Sequence, residues 1–152
     1  MYMTKNQPKL YPNLVRFVKT FPLRVPTHRA RVWEAFLGIS GLTDVQARQA
    51  LKWGNIPILR VIKLPRTKAG KFNRGTPNII YLAKHMVERF EIDWQKPAAR
   101  LLVESTILHE LVHWANERLG GKHRHGRYGS VEFEFGDWFE ELGYGQQTAW
   151  WW

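Results

Sequence analysis

The sequence predicts a single α+β domain, a small sheet packed on one long buried helix. Three observations lead there. Residues 58–64 and 78–83 are short and rich in β-branched residues, as strands are. Residues 98–119 carry Leu101, Leu102, Val103, Ile107, Leu108, Leu111, Val112 and Trp114, a helix apolar on most sides. Inside it stands His109-Glu110-Leu111-Val112-His113, an H-E-x-x-H motif. The length of 152 residues suits one domain, 1–152, with one core, and no internal repeat or linker divides it.

The elements follow in order. Residues 1–26 read as an irregular segment, punctuated by Pro8, Pro12, Pro22 and Pro26, from which Phe17, Val18, Phe21 and Leu23 reach the core. Thr27 is placed to cap a helix over 28–37 that Gly38 stops. Thr43-Asp44-Val45-Gln46 reads as a capping box opening a helix to about Trp53. The first strand, 58–64, leads into a basic connection with Arg66, Lys68, Lys71 and Arg74. The second strand, 78–83, pairs with the first and is the candidate edge strand for an added peptide. A short helix follows over 84–91. Pro97 suits the first turn of the motif helix, and Gly120-Gly121 ends it. Residues 123–129 read as a polar loop and 131–142 as a last helix ending at Gly143.

Four-residue spacing sets His109 and His113 one turn apart on one helix face, where two imidazoles can share one tetrahedral zinc ion. Glu110 lies beside them as candidate general base. Two solvent-facing histidines and a salt-bridging glutamate would be the ordinary alternative, but so apolar a helix makes unpaired polar groups costly. Catalytic zinc usually takes three protein ligands. The metzincin extension is excluded, because Asn116 and Leu119 occupy the positions that need glycine and histidine. A downstream acid is left, and Glu132, Glu134, Asp137, Glu140 and Glu141 compete. Glu140 is the expected ligand, four residues after Gly136 and anchored by Trp138, Phe139 and Leu142. Thermolysin-like peptidases place a glutamate similarly after a glycine. Glu134 is the alternative and Asp137 the third. Most such acids are solvent-facing helix charges. His123, His125, Tyr128 and Tyr144 are candidate oxyanion stabilisers.

Composition narrows the class. No apolar run reaches the roughly 18 residues of a membrane span, and Met1-Tyr2-Met3-Thr4-Lys5 carries no signal core. The absence of cysteine excludes disulfides, thiolate metal sites and a cysteine nucleophile. Residues 1–96 hold 18 Lys+Arg against 5 Asp+Glu, and residues 97–152 hold 5 against 8. The motif therefore lies in the acidic part, as a divalent-cation site should. The basic part suits an anionic surface, an acidic partner or simply a solvated face.

Ser105-Thr106-Ile107-Leu108-His109-Glu110-Leu111-Val112-His113-Trp114, with Gly136-x-x-Phe139-Glu140-x-x-x-Tyr144-Gly145 downstream, resembles the toxin zinc metallopeptidase domains of bacterial polymorphic-toxin and type VI secretion systems. The C-terminal metallopeptidase domain of VgrG spike proteins is similar. The resemblance is specific over residues 97–145, the catalytic core motifs. It implies a zincin-like, gluzincin-type fold, one zinc per chain, His109 and His113 as ligands and Glu110 as base. It further implies a downstream glutamate ligand, an antibacterial effector hydrolysing peptide bonds, and delivery by a secretion spike to the periplasm of a target bacterium. An immunity protein and a protein or peptide substrate are the implied partners, with no obligate nucleic acid. Two other readings stand beside it. One is a nucleic-acid- or envelope-binding module using the basic half without catalysis. The other is a structural phage or secretion component docking through Trp150-Trp151-Trp152.

Overall fold

In the computed structural model, described for residues 1–4, 6–120, 125–128 and 131–148 and for side chains outside 125–128 and 131–133, the chain is a mixed α/β structure. Seven helices and a four-stranded sheet occupy the described residues, with a separate two-stranded hairpin. The Trp150–Trp152 tail lies outside them.

The N-terminal segment is helical, not irregular. After β1 (Tyr2–Met3) come α1 (Gln7–Leu10) and the 17-residue α2 (Pro12–His28). Leu14, Val18, Phe21 and Val25 recur at helical spacing and are all at most 2% exposed. Burying each contributes about 1.5–3 kcal/mol. Together they exceed the roughly 3 kcal/mol cost of each internal proline, Pro22 and Pro26. Pro12 sits in the first turn, where no backbone donor is needed.

Thr27 is interior to α2, its hydroxyl donating to the Leu23 carbonyl at 3.3 Å. The chain breaks at Arg29 instead, and α3 (Ala30–Ser40) runs through Gly38 to a left-handed cap at Gly41, φ +70°. The capping box at Thr43 is present, with Gln46 answering, and opens α4 (Asp44–Leu51).

The sheet order is β1, β2 (Ile58–Ile62), β4 (Ile79–Ala83), β3 (Gly70–Phe72). β2 and β4 pair in parallel, Leu59 opposite Ile80 and Val61 opposite Leu82. β4 is therefore an inner strand. Among the described residues the edge strands are β1 and, on the side of the motif helix, β3, antiparallel to β4 with Lys71 opposite Tyr81. Three residues inside a basic, glycine-containing connection carry too little periodicity to announce a strand.

β4 runs directly into α5 (Lys84–Asp93), and the motif helix α6 (Pro97–Arg118) follows. α6 packs against α3, α5, β3, β4 and the last helix, which explains why it is buried on most sides. Residues 131–142 are not one helix. β5 (His125–Tyr128) and β6 (Val131–Glu134) form an antiparallel hairpin, and α7 (Phe135–Tyr144) begins after it. The alternation Val131-Glu132-Phe133-Glu134 has the two-residue period of a strand. Gly143 does not end α7. It sits 3.4 Å (from an added Cβ) from the Val32 Cα, a close approach of α7 to α3, and Gly145 at φ +79° is the cap.

Candidate metal centre

α6 brings the two motif histidines together, with ring centroids 5.2 Å apart. The turn from β6 into α7 brings in Glu134. Its Oε2 lies 3.4 Å from His109 Nε2, and its Oε1 contacts His113 Nε2. One donor atom from each of these three residues lies within 4.8 Å of the others. The donor chemistry fits a divalent metal: two imidazole nitrogens and a carboxylate, a set that zinc takes.

Glu134 is held in place by a second task. It is the N-cap of α7, its carboxylate accepting from the Gly136 and Asp137 amides at 3.2 and 2.9 Å. Burial acts to raise its pKa, but the His113 hydrogen bond and the charges of both histidines prevail and hold it down at about 2.

Glu140, expected as third ligand, stands on the other side of His109. Its Oε1 accepts from His109 Nδ1 at 3.0 Å. Its Oε2 accepts from the Thr148 hydroxyl at 3.0 Å and from the Thr148 amide. Thr148 is tied in turn to Ser105 of α6. Both carboxylate oxygens are thus occupied, and Glu140 keeps the His109 proton on Nδ1 and Nε2 turned toward Glu134. Burial works to lower the His109 pKa. The Glu140 hydrogen bond and the charges of Glu110, Glu134 and Glu140 outweigh it and push it up to about 9.

Glu110 is 6% exposed and lies under the edge strand. A Cβ on Gly70 would stand 2.8 Å from Glu110 Oε1, so only glycine lets β3 approach this closely. Burial raises the Glu110 pKa against the lowering pull of both histidines, and the Phe72 amide donates to its carboxylate.

His109, His113, Glu110 and Glu134 line one cleft of about 1210 Å³, with the 66–74 segment on one wall and Asp137 and Glu140 on the other. The Asn116 amide nitrogen, one turn beyond His113, is buried without a hydrogen-bond partner among the described residues and belongs to a cleft-lining side chain. Tyr144, a candidate oxyanion stabiliser, is turned elsewhere. Its hydroxyl donates to Glu104 at 3.1 Å, beside Arg29. His123 lies outside the described residues, as do the side chains of His125 and Tyr128.

The family model described as metallopeptidase toxin 3 matches residues 7–145. The chain belongs to the metallopeptidase toxin 3 family. The match extends over α1 to α7, well beyond the segment whose motifs resemble toxin peptidases. No curated protein and no solved structure matches the chain. Membership makes this a metallopeptidase toxin, a metal-dependent hydrolase acting on protein. The His109–His113–Glu134 cluster is a possible site for the family's metal. Among the described residues no helix is long and apolar enough to cross a membrane.

What the sequence reading missed is concentrated at β3 and the α7 turn. Gly136 is marked in the sequence by its spacing to Glu140, but its contact with His109 is not legible there. A Cβ there would lie 2.3 Å from His109 Nε2, inside any permitted contact. Gly136→Ala should displace the His109 ring and weaken metal binding about 10–100-fold, the usual effect of disturbing a ligand's support. Metal titration of the variant checks this, with circular dichroism confirming that α7 survives.

Proposed function

We propose that this metallopeptidase toxin is a zinc-dependent endopeptidase in which His109, His113 and Glu134 hold the metal and Glu110 is the general base. The observation that carries the reading is one cluster of two imidazoles and a carboxylate beside a buried glutamate, in a cleft wide enough for polypeptide. Glu134 is preferred to Glu140 because its carboxylate meets Nε2 of both His109 and His113, whereas Glu140 meets His109 at Nδ1.

Zinc bound there would supply Lewis acidity, polarising the scissile carbonyl and lowering the pKa of the attacking water to about 7. The remaining chemistry belongs to the chain. Glu110 accepts the proton of the attacking water and passes it to the leaving amine. Its raised pKa suits both transfers. The outer edge of β3 offers backbone groups to an extended substrate, which adds as a further strand over Glu110. Glu140, braced by Thr148, holds the His109 tautomer.

The biological setting we propose is an antibacterial effector, carried by a secretion spike, neutralised by an immunity protein in the producer and active in the periplasm of a target cell. The basic first two-thirds of the chain would draw it to an anionic envelope, an attraction that salt weakens. Expression in a bacterium with an added export signal should kill, and expression without one should be tolerated. Equal killing from the cytoplasm would move the target inside the cell.

A further inference from the structure

The cleft has one wall whose charge the catalytic chemistry does not use. Arg66, Lys68 and Lys71 line it from the segment around β3, and all three are exposed. Arg74 and Arg89 line it too but pair with Glu117 and Asp93 at 2.6 Å. Arg66, Lys68 and Lys71 make no ion pair with a described carboxylate.

The register of β3 gives this charge a defined place. Gly70 faces α6, since a Cβ there would meet Glu110 and Thr106. Strand alternation puts Phe72 on that same face and Lys71 on the opposite one. The burial agrees: Gly70 and Phe72 are half-buried and Lys71 is exposed. A substrate strand on the edge of β3 that no described strand occupies has the same alternation. Its residue paired with Lys71 therefore presents its side chain on the outer face, beside the Lys71 ammonium. The bond to be cut must lie near Glu110, which sits under Gly70 and Phe72, so this residue flanks it. The approach to it is lined by Arg66 and Lys68.

Resting on the peptidase reading above, we infer that the enzyme selects acidic polypeptide segments, with Asp or Glu at the substrate position paired with Lys71. The acid floor of the cleft does not oppose this. Glu134 and Glu140 contact the histidines of α6, and Glu110 lies under Gly70 and Phe72, on the face of β3 opposite Lys71.

The test uses the full chain loaded with zinc and a peptide library, followed by matched peptides carrying Glu, Gln or Lys at the selected position. The wild type should prefer Glu over Lys by about fivefold in kcat/KM at low salt and lose most of that preference at high salt. Lys71→Gln should flatten the order, and Lys71→Glu should invert it. The same three peptides are also titrated into Glu110→Gln protein by fluorescence anisotropy, which needs no turnover and should give the same order. Indifference to the substituted charge both in wild-type cleavage and in Glu110→Gln binding, or an order that Lys71→Glu leaves unchanged, overturns the inference. Failure to cleave any peptide, with the charge-dependent binding order intact, overturns the peptidase reading instead.

Discussion

Glu110→Gln should lower peptide hydrolysis by at least about 10²–10⁴-fold while leaving fold and metal content unchanged. That loss corresponds to roughly 2.7–5.5 kcal/mol of transition-state stabilisation. Glutamine has nearly the same volume and retains a carbonyl oxygen for the Phe72 amide, so β3 has no reason to move. It cannot accept and return a proton. The fall should appear in kcat, because the lost interaction is with the moving proton and not with the bound peptide. In cells the same variant should be harmless even when exported. Steady-state kinetics beside elemental analysis reads both halves, and full activity at full metal loading would exclude Glu110 as the base.

The second large effect separates the two glutamates near His109. Glu134→Ala should release most of the metal, since it removes one of three ligands and leaves only the two imidazoles of α6. It also removes the N-cap of α7, worth about 0.5–2 kcal/mol, so some loss of thermal stability should accompany it. Glu134→Gln separates the effects, because its side-chain carbonyl can still accept from the Gly136 and Asp137 amides while offering the metal a much poorer ligand. Glu140→Gln should cost only about 10–100-fold in affinity, as loss of a partner that orients a ligand does. Competition with a chelating dye ranks the three variants. If Glu140→Gln released metal and Glu134→Gln retained it, the ligand assignment would be reversed while the enzyme class stood.

The parts of this protein visible in its sequence are those with a long or strict period. The helix α6 is 22 residues long, apolar on most sides and rigid in its motif spacing, so the two histidines and Glu110 needed only a helix to meet. The capping box of α4 and the strands β2 and β4 announced themselves by local chemistry. The prolines of α2 misled, because Pro22 and Pro26 signal a break locally while Leu14, Val18, Phe21 and Val25 outweigh them through tertiary burial. At Glu134, the proposed third ligand, the difficulty was a boundary. Starting the last helix at residue 131 puts Glu134 within a regular helix. Starting it at Phe135 turns Glu134 into the cap, aimed across the turn at His109 and His113. Five acids in ten residues cannot be ranked until that boundary is known. The strand β3 and its Gly70 were hidden because they make sense only against Glu110, forty residues on.

The most direct test of the central claim is a crystal structure of the zinc-loaded chain with anomalous scattering recorded at the zinc edge. The account predicts one strong peak per chain, within bonding distance of His109 Nε2, His113 Nε2 and a Glu134 carboxylate oxygen, with Glu140 still on His109 Nδ1 and Glu110 beside the peak. A chain that binds no zinc at the H-E-x-x-H helix, or holds it with Glu110 turned out of the cleft, would contradict it.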